Sequence, residues 1–391
     1  MKVTALAAPT SPPEAVRAAL AARGWEAQPA WFAATGVQSL VVLLEEITDT
    51  EREALVHWAT KSGADVLTGE GWALVAAAAS RLAPLARYDR APPELARLAP
   101  ELGRFLAAHA DPPRTWAIRG AELSLDQPVI IGILNVTPDS FSDGGRLRTV
   151  DEAVAHGQQL RANGAQLIDI GGESTRPGAA PVAAREEIER GVPVIGALLR
   201  RGLGPMSVDT RKAEVARAAL DAGAAVVNDV SGLTFDEGLG AVVAAAAAGL
   251  IVMHMRGTPD TMDTLAEYRG GQVAAEVAAE LEGAAQRAER AGVAKERIAV
   301  DPGLGFAKTA AQNFRLLDEL ATIAALGYPV AVGPSRKRFL GAATGQPVED
   351  RDRATAVACA LAWERGARLF RVHDVALTRE ALTLASATTN P

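Results

Sequence analysis

Eight apolar runs in this 391-residue chain each stop at residues able to do chemistry. They end at Asn135; at Asp169 with Gly171-Gly172-Glu173-Ser174-Thr175-Arg176 after it; at Asp209; at Asn228-Asp229; at His254; at Asp301; at Ser335-Arg336-Lys337; and at Arg371-Val372-His373-Asp374. One polar residue after a strand is ordinary turn chemistry, but eight in series are hard to ascribe to turns alone. The residue types form two groups. Asp209, Asn228, Asp301 and Lys337 offer two carboxylates, an amide and a cation. That set suits a flat heterocycle with an amidine edge, because a carboxylate accepts two parallel N–H bonds from it. Arg371, His373 and Asn135 offer positive charge and donors for a phosphate or pyrophosphate, and the Asn135 amide oxygen is also a neutral ligand for Mg2+. Stretches 137–145 and 171–178, rich in glycine and hydroxyls, can fold over a bound anion.

These residues share one rim only if the runs before them are strands of one sheet. The runs lie at 129–134, 166–170, 206–208, 225–227, 250–253, 298–300, 330–332 and 369–372, with alanine-rich amphipathic stretches such as 213–222 and 273–291 between them. Apolar residues on consecutive positions predict strands buried on both faces, hence a parallel sheet under helices. Eight such units over about 260 residues predict a (β/α)8 TIM barrel, which places its site at the carboxyl ends of its strands. A short hairpin, 116–119 and 122–125 about Gly120, precedes the first strand. The apolar stretch 241–253 is too short to span a bilayer and reads as a helix end, a turn at Gly249 and a buried strand.

The segment before the barrel is different. It carries Trp25, Trp31, Trp58 and Trp72, four of the six tryptophans, which read as core. Its pattern predicts strand 3–8, helix 13–23, strands 30–34 and 39–44, helix 50–62, strand 65–67 and helix 72–83. That order makes 1–86 a small α+β domain of ferredoxin-like type, with no visible chemistry. Prolines 92, 93, 100, 112 and 113 mark 87–114 as a helical linker, leaving 115–391 for the barrel. The barrel alone is expected to keep the chemistry if 1–112 is removed. A net charge of −7 argues against a general nucleic-acid binder, and a single cysteine, Cys359, fits a reducing cytoplasm and reads as packing. His57, His109 and His156 have no paired metal-ligand spacing.

The motifs GILNVTPDSFSDGG at 132–145, DIGGESTRPGA at 169–179, SVDT at 207–210, NDVSG at 228–232, MHM at 253–255, DPGLGF at 301–306, SRK at 335–337 and RVHDV at 371–375 stand in this order. Together they resemble the dihydropteroate synthase family of pterin-binding barrels over about residues 115–388. The resemblance implies a pterin held by Asp209, Asn228, Asp301 and Lys337 with Met253 packing nearby. It implies Mg2+–pyrophosphate at Asn135, with Arg371 and His373 on its oxygens. It places 4-aminobenzoate against Thr175, Arg176, Pro177, Phe306 and Ser335, with Phe141 and Asp143 on a lid loop that orders this substrate. The implied reaction joins 6-hydroxymethyl-7,8-dihydropterin pyrophosphate to 4-aminobenzoate in folate biosynthesis, a sulfonamide-targeted step. Catalysis would fall to Asp209, Lys337, Asn135, Arg371 and His373, in a cytoplasmic homodimer. Two departures from the family pattern are Ala307, where glycine is usual, and Arg256, where glutamine is common. Asp169 is expected to anchor its own loop, and Glu173 to brace Arg176 or a neighbouring loop. A methyltransferase barrel would share the heterocycle pocket without needing a pyrophosphate site, and a non-catalytic paralogue would have lost lid or anion residues.

Overall fold

The computed structural model describes residues 2–7, 40–110, 112–136, 149–173, 182–258, 261–268 and 273–389. The chain divides into two compact units, one built on Met1–Pro112 and one on Pro113–Glu267, Val277–Leu320 and Tyr328–Pro391.

The first unit contains strands β1 (Lys2–Ala7) and β2 (Leu40–Glu45), helix α1 (Asp49–Ser62), and strands β3 (Asp65–Gly69) and β4 (Trp72–Ala77). The sheet is antiparallel in the order β1-β2-β4-β3. Strand β4 therefore lies between β2 and β3, the split βαβ arrangement of a ferredoxin-like sheet, while the outer position beside β2 is filled by the strand that comes first in the chain. The predicted helix 72–83 is corrected by this sheet. Residues 72–77 are a strand buried along its whole length, joined to β3 by a two-residue turn in which Gly71 has φ +74°. A short apolar run has no periodicity to separate a buried strand from a helix; the turn decides. The predicted helix 13–23 and strand 30–34, with Trp25 and Trp31, lie outside the described residues.

The proline-punctuated segment 87–114 also departs from expectation. Its 3-10 turn Pro93–Leu98 and helix α2 (Ala99–Ala110) send Leu95, Leu98, Leu102, Phe105 and Leu106 into the same core as Val42, Leu44, Leu55 and Val75. Prolines here start helical turns, where a missing N–H costs nothing. The segment is core, and the boundary between units falls at Pro112.

The second unit opens with the expected hairpin, β5 (Thr115–Ile118) with β6 (Ala121–Ser124). A closed eight-stranded parallel barrel follows: β7 (Val129–Asn135), β8 (Leu167–Gly171), β9 (Met206–Asp209), β10 (Val226–Asp229), β11 (Gly249–Met253), β12 (Ile298–Asp301), β13 (Val330–Val332) and β14 (Ala367–Val372). Helices α3 (Val150–Ala162), α4 (Ala184–Arg200), α5 (Ala213–Asp221), α6 (Leu239–Ala245), α7 (Val273–Arg290), α8 (Ala310–Asp318), α9 (Arg338–Thr344), α10 (Asp352–Glu364) and α11 (Val375–Thr389) follow the strands. The hairpin stops the amino-terminal end of the barrel. Trp116 and Ile118 pack with Ile131, Leu167, Val226, Ile251, Ala331 and Leu369, and the Trp116 indole N–H donates to the Arg297 carbonyl at 3.0 Å.

Candidate active site

Side chains along a strand alternate between faces, so an interior position recurs every second residue. Interior core residues Leu167, Val226, Ile251, Ala299, Ala331 and Leu369 are each followed two places on by Asp169, Asn228, Met253, Asp301, Gly333 and Arg371. One further step on β7 and β8 brings Asn135 and Gly171 to the rim, level with Asp209 and Asn228 in the strand register. The apolar floor and polar rim are thus one pattern read two residues apart.

Arg371 organises the rim. Its Nε donates to Asp169 Oδ2 at 2.6 Å and its Nη2 to Asp209 Oδ2 at 2.7 Å. Ser207 donates to Asp169 Oδ1 at 2.6 Å, and the Asn228 amide reaches Asp169 Oδ2 at 3.4 Å. Burial works against the Arg371 charge, but the two carboxylates outweigh it and hold its pKa above the usual value. Burial pushes Asp209 up while Arg371 opposes it. Asp301 is pushed up by burial, with the Gly303 backbone N–H donating to it at 2.7 Å in opposition. Lys337 is pulled down by burial against the attraction of Asp301.

The loop after β12 shapes the opposite wall. Lys337 Nζ lies 3.7 Å from the centre of the Phe306 ring, a cation–π contact. Gly305 has φ +84°, and a Cβ there would come within 2.6 Å of Lys337 Cδ, so glycine makes room for the lysine stem. Beneath it, buried Lys308 donates to the Gly303 and Phe306 carbonyls at 3.1 and 2.9 Å and lies 3.0 Å from His254 Nδ1. His254 Nε2 is 3.0 Å from Glu280, which also binds Arg256. Met253 and Phe306 pack with Val230, Met262 and Ala307. After the next two strands, Ser335 Oγ lies 2.8 Å from His373 Nδ1.

Of the residues expected at the site, Asn135, Asp209, Asn228, Met253, Asp301, Phe306, Ser335, Lys337, Arg371 and His373 all stand at this end of the strands or on the loops following them. Thr175, Arg176, Pro177, Phe141 and Asp143 lie outside the described residues. Among the described residues, Asp169 ties Ser207, Asn228 and Arg371 together across the barrel. Glu173 binds Lys212 and Arg211 at 3.0 and 3.4 Å and the Val182 backbone N–H at 3.1 Å, so it braces the neighbouring loop before α5, as expected. His254 is a structural histidine engaged on both ring nitrogens. Lys308 gave no signal of its own in the sequence, since its partners are distant or main-chain.

A family model described as pterin binding enzyme matches residues 131–373. The chain belongs to the pterin-binding enzyme family. Within it the similarity is to dihydropteroate synthases. The one from Synechocystis is 46% identical over 259 residues, 66% of this chain and 89% of the relative. Solved structures agree. The Xanthomonas albilineans dihydropteroate synthase with 4-aminobenzoic acid is 46% identical, with a TM-score of 0.66 over 71% of this chain and 99% of that one. The same enzyme in complex with 7,8-dihydropteroate is 44% identical, with a TM-score of 0.64 over the same shares. Ala307, one of the two departures from the dihydropteroate synthase pattern, has φ +48°, so an alanine occupies the left-handed conformation glycine takes without strain.

Proposed function

We propose that this chain is a dihydropteroate synthase, a transferase joining 6-hydroxymethyl-7,8-dihydropterin pyrophosphate to 4-aminobenzoate. The observation that carries this is the rim itself, where a carboxylate-and-amide pocket for a heterocycle stands beside Arg371 and His373 at one mouth. Asp209, Asn228 and Asp301 take the N–H edge of the pterin, Lys337 donates to its acceptor atoms, and Met253 packs against the ring. Arg371 and His373 bind the pyrophosphate oxygens. The arrangement favours breaking the bond between the pterin methylene carbon and the pyrophosphate oxygen. The departing anion takes that bond's electrons and is stabilised by these donors, while the Asp209 carboxylate favours the positive pterin left behind. The neutral arylamine nitrogen then forms the new C–N bond and releases one proton to water. No covalent enzyme intermediate is required.

Asn135 suits a Mg2+ carried in by the substrate: its amide oxygen lies 3.0 Å from where a Cβ on Gly171 would be, over a gap that only glycine leaves open beside Asp209. Such an ion would neutralise charge on the pyrophosphate. Phe306, Thr175, Arg176 and Pro177 form the 4-aminobenzoate side, with Phe141 and Asp143 on the covering loop, and a sulfonamide would compete there. A homodimer is supported by Val357, Leu361 and Leu384, exposed apolar residues on α10 and α11. No helix among the described residues is long and apolar enough to cross a membrane, and we place the enzyme in the cytoplasm.

The test is release of pyrophosphate and formation of 7,8-dihydropteroate from the two substrates with Mg2+. Tight pterin binding without product would overturn the enzymatic reading in favour of a binding paralogue.

A further inference from the structure

Ser335 Oγ makes both of its hydrogen bonds among the described residues to one partner. It accepts the His373 backbone N–H at 3.2 Å and lies 2.8 Å from His373 Nδ1. A serine hydroxyl has one proton to donate. Although the oxygen could accept a second bond, that proton would then have no acceptor among the described residues, and Nδ1 is the one within its reach. A neutral imidazole accepting at Nδ1 carries its own proton on Nε2, because the bond at one ring nitrogen sets the state of the other.

The serine is held in place by an unusual turn. Arg336 has φ +57°, a conformation side chains rarely adopt. It is clamped from several directions: Nε and Nη2 donate to the two oxygens of Asp352 at 2.9 and 2.8 Å, and its backbone N–H donates to Thr355 Oγ1 at 3.1 Å. Its carbonyl accepts from Arg351 at 3.2 Å. Strain held by this many partners marks a segment whose orientation matters. The turn aims Ser335 at His373 and, two residues on, Lys337 at Phe306.

We propose that Ser335 is a positioning residue that fixes the Nε2–H tautomer of His373, so that the ring offers a donor to the departing pyrophosphate. The opposite tautomer would turn a lone pair toward the anion. The inference rests on the reaction proposed above, and it moves Ser335 from contact with 4-aminobenzoate to support of the anion site.

The experiment uses the full chain labelled with 15N-histidine, at a pH where the ring is neutral, with His373→Gln identifying the signals. Nδ1 is expected to resonate as the unprotonated nitrogen and Nε2 as the protonated one. In Ser335→Ala the tautomers mix, inorganic pyrophosphate with Mg2+ binds about tenfold more weakly, kcat falls to a similar degree and KM for 4-aminobenzoate stays unchanged. Ser335→Thr, which keeps the hydroxyl, restores both. A protonated Nδ1 in the wild-type chain overturns the inference. So does a Ser335→Ala variant with a raised KM for 4-aminobenzoate and intact pyrophosphate binding, which would make the hydroxyl a substrate contact. A wild-type chain lacking turnover refutes the reaction itself; one that turns over with the wrong tautomer refutes only the role of Ser335.

Discussion

Arg371 and Asp169 stand two strands apart in the closed sheet, on β14 and β8, and meet at 2.6 Å across the strand between them, where they are in register with Ile131 and Ile133 of β7. Asp169 is almost fully buried, at 1% side-chain exposure, and also takes a bond from Ser207. It is the fixed point against which the guanidinium is aimed.

Replacing Asp169 by Asn removes one negative partner from a buried cation while keeping the shape. We expect a loss of about 3 kcal/mol in stability, since a buried charge loses compensation. Pyrophosphate affinity should fall as Arg371 swings toward Asp209. Denaturant unfolding and pyrophosphate titration check this; an unchanged midpoint would mean the pair contributes little.

Gly303 and Gly305 should respond differently to alanine. A Cβ on Gly303 would overlap the His254 carbonyl oxygen, which is main chain and cannot give way. Gly303→Ala should therefore cost about 3 kcal/mol or more. At Gly305 the obstacle is the Lys337 side chain, which can move. Gly305→Ala should fold but bind pterin about tenfold more weakly through a displaced lysine. Melting temperature and pterin binding, measured on both variants, separate the two cases.

His254 makes stability depend on acid. Burial pulls its pKa down to about 4, with the Lys308 charge adding to the effect and Glu280 opposing it. The unfolded chain therefore takes up a proton between about pH 6.5 and 4 that the folded chain refuses, so stability falls as pH drops through that window. The shift amounts to about 3 kcal/mol at its lower end. Unfolding curves across this range should show the slope, and His254→Gln should flatten it. An equal slope in that variant would assign the effect elsewhere.

Trp116 is fully buried at the amino-terminal end of the barrel, away from the rim. Trp116→Ala should lower stability by about 3–5 kcal/mol, through lost burial and the cavity left behind. With the fold intact at low temperature, KM for both substrates should be unchanged. A raised KM would mean that the hairpin influences the far end of the strands.

The residues of the pocket are legible in the sequence because a parallel barrel converts chain order into position. Leu369 and Arg371, or Ala299 and Asp301, differ by one interior step, so a run of apolar residues ending in a polar one already states which end is the rim. The role of Asp169 is not legible in the same way. Gly171, two places later, ends its strand, so the carboxylate lies one interior step below the rim and its partners come from other strands. Residues 72–77 and 87–110 are ambiguous for another reason: their apolar patterns fit more than one element or partner.

By itself the sequence determined the barrel, the carboxyl-end rim and the residue types gathered there, since these depend on the two-residue period of strands and on side-chain type. Tertiary structure alone decided who holds whom. It joined Asp169 to Arg371 across 202 positions, placed Lys308 under the Phe306 loop, and turned Ser335 toward His373. A hydrogen bond is specified by distance and direction in space, and neither can be counted along a chain.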